Sequence, residues 1–322
     1  MKTLAGGGRS VARLAALIVV TVLVVLAARR LSPGRVVSEL AVAHPLWIVL
    51  ALVAYAAILP LWALQWRLLV PDQRRPSFST MLAVIAMTST VLNTTPLLVG
   101  EAAGVLLLVT EGALTRAAAL SVLAMDQLFV GIAKLCVLAA AAATVDLPAW
   151  MQHGAAALVG AVGVLLIGVV IVAWRADHLS RLSARVLPAR GVRLLASVGE
   201  ALAPIRSPTR SGGALALALV KKLVEAAAIL CVQRAFGVDL PIVSALLVLA
   251  ALNLATLLPL VPGNVGVYEA SVVVAYAHFG VPAERTLRIA VVQHACHFLA
   301  LALPGYRWLA RGAATRNTAA AA

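Results

Sequence analysis

Residues 242–279 read IVSALLVLAALNLATLLPLVPGNVGVYEASVVVAYAHF. The stretch is apolar enough to enter a membrane, but Asn253, Pro259, Pro262-Gly263-Asn264 and Gly266 interrupt it. Proline removes an amide donor and glycine loosens a helix, so the pattern predicts two half-helices joined by unwound chain. Residues 78–112, FSTMLAVIAMTSTVLNTTPLLVGEAAGVLLLVTEG, are interrupted in the same way by Asn93-Thr94-Thr95-Pro96 and Gly100-Glu101. Each region runs apolar half-helix, Asn, Pro, Gly, Glu, apolar half-helix, short polar turn and full span. Glu101 precedes Asp126 by 25 positions, and Glu269 precedes His294 by the same 25.

The rest of the chain fits this reading. Of 322 residues, 63% are hydrophobic and 12% charged, against about 45–50% and about 25% in soluble domains. The expected fold class is therefore an all-α polytopic membrane protein. Spans need roughly 20 apolar residues, and six stand out: Val11–Ala28, Pro45–Trp66, Thr115–Thr144, Gly154–Trp174, Gly213–Ala235 and Glu284–Leu303. The first follows Lys2, Arg9 and Arg13 but lacks a good cleavage site, and reads as an uncleaved span. The longest polar stretch, Arg175–Gly212, reads as a loop. Cys136, Cys231 and Cys296 lie inside apolar segments and read as small buried hydrophobes. The net charge of +14 is spread over short loops, which argues for lipid headgroups and membrane orientation rather than nucleic acid.

Basic loops give the topology. Arg67, Arg74 and Arg75 mark one, seven Arg between 175 and 210 mark a second, and Arg307, Arg311 and Arg316 mark the C-terminal tail. If all three are cytoplasmic, an even number of crossings separates each pair. Residues 78–112 must then enter and leave on the cytoplasmic side, and residues 242–279 on the other. This predicts two re-entrant helix pairs of opposite orientation, within inverted repeats spanning about 78–144 and 242–303. Cytoplasmic segments then hold 19 of the 26 Lys and Arg residues. Arg29, Arg30 and Arg35 run against the trend. Residues 1–306 form one transmembrane domain in this reading, and 307–322 a disordered cytoplasmic tail. Both termini are expected in the cytoplasm and the protein in the plasma membrane.

Pro96-x-x-x-Gly100-Glu101 followed by Asp126 resembles the first half of the lysylphosphatidylglycerol synthase transmembrane family, also described as flippase-like membrane proteins. Pro262-Gly263-Asn264-Val265-Gly266-Val267-Tyr268-Glu269 is similar to its second signature, and the resemblance covers roughly Trp62 to Pro304. It implies a lipid-translocating fold with paired re-entrant helices, in a family whose members handle lysylphosphatidylglycerol, polyprenyl phosphates or hopanoids. The soluble aminoacyl-transfer domain that carries synthase activity is not expected in this reading. The family often places Arg shortly after the first Gly-Glu, where Gly104 stands here. It often has Glu-Arg before the Asp, where Ala124-Met125 stands.

An ionisable residue inside the bilayer costs about 2.5–3.5 kcal/mol and by default marks a site. Glu101 and Glu269 stand at the breaks, where they can cap a half-helix or bind a cationic headgroup or a proton. Asp126 and Lys134 lie eight positions apart on one span, about 12 Å along its axis, too far to pair. Each should find a partner on another span, unless Lys134 snorkels or meets a lipid phosphate. Glu225, one turn beyond Lys221 and Lys222, makes either a structural pair with them or leaves them to read lipid phosphate. Asn93, Asn253 and Asn264 most simply satisfy unwound backbone, and can also line a cavity. His294 and His297 have metal-compatible spacing without further ligands, so no metal site is expected. His294 occupies the position of Asp126 in the repeat. Pro96, Gly100, Pro262, Gly263 and Gly266 are the expected structural breaks.

No nucleotide, nucleophile or zinc-hydrolase motif is present, and no cofactor is expected. The leading expectation is a lipid transporter moving a phospholipid or polyprenyl-linked lipid between leaflets, with proton or ion coupling. A membrane-embedded lipid-modifying enzyme and an accessory subunit of a synthase stay open as alternatives, as does a homo-oligomer.

Overall fold

A computed structural model describes residues 33–71, 75–95, 99–183, 188–257 and 261–310. Among these, eleven α-helices and two 3-10 turns occur and no strand. The chain is an all-α integral membrane protein. The predicted span Val11–Ala28, together with Arg29 and Arg30, lies outside the described residues, as do Pro96 and Pro259.

Helix α1 covers Pro33–Leu40 and α2 Pro45–Leu69. Pro45 starts α2, where a missing amide costs nothing. The first interrupted region divides as its Pro and Gly residues predict, into α3 (Phe78–Thr94) and α4 (Val99–Thr110). Ser77 caps α3 by accepting from Thr80 N–H at 3.1 Å. Thr115 does the same for α5 (Arg116–Ala142) through Ala118 N–H at 3.2 Å.

Helix α6 (Ala149–Ser183) is the long peripheral span; its geometry breaks at Arg175, just past the predicted end of the apolar run. The stretch expected to be a loop is mostly helical. It holds the end of α6, α7 (Ala189–Ala201) and a 3-10 turn at Ala203–Arg206. Helix α7 packs against α5 and α6, and an Arg-rich amphipathic helix reads in composition like a polar loop.

Helix α8 spans Pro208–Ala235. The second interrupted region gives α9 (Ile242–Ala255), the 3-10 turn Pro262–Asn264 and α10 (Val267–Ala277), followed by α11 (Ala283–Leu301). Of the predicted tail, residues 307–310 are helical and 311–322 lie outside the described residues.

Four described helical stretches are long and apolar enough to cross a bilayer: Pro45–Leu69, Arg116–Ala142, Ala149–Arg175 and Ala283–Ala310. Helix α8 has 28 residues but carries Lys221, Lys222 and Glu225 at its middle, which lowers its apolarity without shortening it. The interrupted helices differ. Those of 17, 12, 14 and 11 residues reach only about 17–26 Å at 1.5 Å per residue, short of a core about 30 Å thick.

Helices α2 and α8 pack along one another and run antiparallel. His44 N–H donates to Ala235 O at 2.8 Å at one end, and Leu68 lies against Gly213 at the other. Around this pair the neighbours are symmetric. Helix α2 touches α3, α5 and α11, while α8 touches α9, α11 and α5; α3 meets α11 as α9 meets α5. Exchanging α2–α5 for α8–α11 therefore reproduces the packing pattern.

Candidate functional site

The buried polar side chains collect along the α2–α8 seam and the helices beside it. Lys221 and Lys222 sit at the middle of α8, about 20 Å from either end at 1.5 Å per residue. Lys221 Nζ lies 3.9 Å from Asp126 Oδ1 on α5 and 5.2 Å from the centre of the Trp62 ring on α2. Trp62 in turn donates its indole N–H to Asp126 Oδ2 at 3.2 Å. Asp126 thus finds a cation on another span, as its isolation in an apolar segment required. Lys222 Nζ donates to Glu225 Oε2 at 2.7 Å and to Asn253 Oδ1 on α9 at 3.0 Å. The structural pair anticipated within α8 is formed.

The second break is closed just as tightly. Gly266 starts α10 with φ +89°, a value that side-chain-bearing residues adopt only under strain. Its N–H donates to Glu269 Oε2 at 2.7 Å. The other carboxylate oxygen, Oε1, lies 2.7 Å from His294 Nδ1 on α11. The 25-residue spacing of Glu269 and His294 is therefore a direct contact. The His294 ring stacks on Tyr268 at 4.2 Å between centroids. Tyr268 accepts from Gln293 Nε2 at 2.9 Å, and His297 stands between Tyr268 at 5.8 Å and Tyr55 of α2 at 5.3 Å. Glu225 lies within electrostatic reach of His297.

Glu101 and Lys134 stand outside these bonds. Lys134 is within electrostatic reach of Lys222, Glu225 and Glu101, yet neither it nor Glu101 makes a hydrogen bond or ion pair among the described residues. Glu101 Oε2 is buried and unpartnered, as is Asn253 Nδ2. Glu101 and Asp126, at the spacing that joins Glu269 to His294, do not pair.

Three predicted residues serve the backbone instead. Asn93 donates to Ser89 O at 2.8 Å, within its own helix. Asn264 sits at φ 53° in the second break, where its main chain closes the 3-10 turn onto Val261 O at 2.9 Å. Gly100 is buried where a Cβ would fall 2.5 Å from Leu92 Cα, so the close approach of α4 to α3 requires glycine. Pro262 and Gly263 form the turn itself, which rests on α3. Sequence reasoning missed Trp62, Tyr55, Tyr268 and His297 as members of the cluster. Aromatic residues in apolar runs look like core, and only His297 carried a signal, through its spacing from His294.

The positions where the resemblance leads to an expectation of Arg are filled by packing. A Cβ on Gly104 would lie 3.0 Å from Thr88 Cγ2 and 3.3 Å from Trp66 Cη2, and Met125 is fully buried. The cations here come from α5 and α8. No group of three or more His, Cys, Asp or Glu fit to hold a metal occurs among the described residues.

No curated protein and no solved structure matches the chain significantly. A family model described as the lysylphosphatidylglycerol synthase TM region matches residues 13–305, and the chain belongs to that family.

Proposed function

We propose that the chain is a lipid transporter of the plasma membrane that moves a phospholipid or polyprenyl-linked lipid between leaflets. The single observation that carries this reading is the set of paired polar groups, buried and half-buried, that lies along the α2–α8 seam and the helices beside it. It is built by α2, α5, α8, α9, α10 and α11 around the middle of α8. Charges in such a place are costly unless they face a partner or a path. The headgroup follows these groups while the acyl tails stay in lipid. A cleft of about 270 Å³ between α6, α9 and α10, lined by Trp150, Ala255, Ala270, Ser271 and Val274, offers the tails an apolar surface beside the second break.

The packing symmetry and the antiparallel α2–α8 pair support two inverted units, α2–α5 and α8–α11. Their short helices are re-entrant pairs, and both termini lie in the cytoplasm. Broken helices meeting between inverted repeats are a recurrent transporter design.

The test is leaflet exchange of fluorescent phospholipid and of polyprenyl phosphate in proteoliposomes, with and without an imposed proton gradient. Exchange above protein-free vesicles, lowered at least tenfold by Lys222→Met, is expected. No exchange of either lipid under any gradient sinks the transport reading.

A further inference from the structure

Resting on that reading, we infer that Glu269 and His294 form a proton-binding pair that couples lipid movement to a proton gradient. Two of the three ion pairs in the cluster join lysine to a carboxylate: Lys222 to Glu225 and Lys221 to Asp126. The third joins His294 Nδ1 to Glu269 Oε1 at 2.7 Å. Lysine and carboxylates ordinarily titrate away from neutral pH, whereas histidine changes its charge between about pH 5 and 8. The third pair is the one whose chemistry suits reversible protonation.

Its bonding fixes where the proton goes. An ionised carboxylate only accepts hydrogen bonds, so the proton between the two groups sits on Nδ1. Nε2 makes no hydrogen bond to a described residue. A second proton therefore enters at Nε2 and leaves an imidazolium beside the carboxylate. The pair moves from a net charge of −1 to zero with its bond to Glu269 kept in both states. The pair is also reachable. Gly266, whose N–H holds Glu269 Oε2, is exposed, while the side chains of Glu269 and His294 are 13% and 3% exposed.

The groups around the pair leave the switch to the histidines. Helix α10 adds Tyr268, stacked on the His294 ring at 4.2 Å, and α2 adds Tyr55, 5.3 Å from His297. Helix α8 adds Lys222 and Glu225, bound to each other. Helix α11 itself carries His297 and Cys296, and α1 adds Glu39, which faces Arg288 further along α11. Helices α3 and α9 contain no ionisable side chain. A net charge at the break resists the apolar middle of the bilayer, and a neutral pair does not. The turn of this break rests on α3, so its movement is passed to the first unit.

The experiment measures exchange of fluorescent phospholipid and polyprenyl phosphate by the full chain in proteoliposomes, at equal pH and under a gradient of one unit. Each protein serves as its own reference. A tenfold change in proton concentration should alter the wild-type rate by about threefold to tenfold. The ratio should fall to about one in His294→Gln and in Glu269→Gln, and persist in His297→Gln. Nitrogen NMR of 15N-histidine-labelled full chain in nanodiscs reads the site without transport. One signal, lost in His294→Gln, should gain a proton at Nε2 reversibly between pH 5 and 8.

A His294 signal fixed across that range overturns the inference, as does a gradient response that survives both substitutions. Exchange that ignores the gradient in the wild type overturns the coupling and leaves transport standing. A titrating His294 in a protein that exchanges neither lipid keeps the proton site and removes transport.

Discussion

At the second break the Glu269 carboxylate is held by Gly266 N–H and His294 Nδ1, both at 2.7 Å. At the first break Glu101, which occupies the same place in the motif, has a buried oxygen with no partner. The residue 25 positions on, Asp126, turns to Trp62 and Lys221 instead. The two breaks share the order of their helices and the pattern of their neighbours, so the neighbours do not set this difference. One side chain does. A histidine opposite a glutamate completes a hydrogen bond, whereas an aspartate opposite a glutamate repels it and must seek a cation elsewhere. The glutamate of the second break is thereby closed within its own unit, while Glu101 Oε2 at the first has no partner.

The comparison is broken most severely at Lys221. Lys221→Met leaves the Asp126 carboxylate buried without its cation, a change that typically costs about 3–5 kcal/mol. The 3.9 Å separation puts the expected loss near the lower figure. Thermal unfolding in detergent reads it, and the Lys221→Met/Asp126→Asn double variant should recover most of the loss. A single variant as stable as the wild type would show that the first unit does not depend on this pair.

The two glutamates test the asymmetry directly, because the same change should have different effects. Glu269→Gln removes the charge from two hydrogen bonds and should cost about 1–3 kcal/mol. Glu101→Gln removes no bond formed among the described residues and should stay within about 0.5 kcal/mol of the wild type. Equal losses in the two variants would mean that Glu101 is held as firmly as Glu269.

Much of this scaffold is legible in the sequence. Pro and Gly locate both breaks because they act on the backbone of their own segment, whatever packs against it. The Glu269–His294 spacing and the Lys222–Glu225 pair are similarly local, one across a single turn and one across two consecutive elements. The facing of Lys221 and Asp126 is different, since 95 residues separate them and only the packing of α5 on α8 joins them. Nor does α2 announce its equivalence to α8. Lys221, Lys222 and Glu225 mark α8, while α2 meets the cluster through Trp62 and Tyr55, which read as apolar core. Helix α7 was hidden for the opposite reason: its arginines resemble a loop until one face is seen to pack on α5 and α6.

The smallest effects separate the two asparagines that flank the breaks. Asn264 sits at φ 53° in the turn before α10, a conformation that asparagine tolerates and that costs most L-residues about 1–2 kcal/mol. Asn264→Ala should therefore lower stability by about 1 kcal/mol, and Asn264→Gly should restore it, since glycine adopts this region freely. Asn93 Nδ2 donates to Ser89 O at 2.8 Å, shared with Ser89 Oγ at 3.3 Å, within a formed helix. Asn93→Ala trades that bond for the better helix propensity of alanine and should change stability by less than about 0.5 kcal/mol. If Asn264→Gly instead fails to recover stability, the side chain itself is needed. Asn264 would then belong with the polar groups that meet the lipid rather than with the turn that shapes the break.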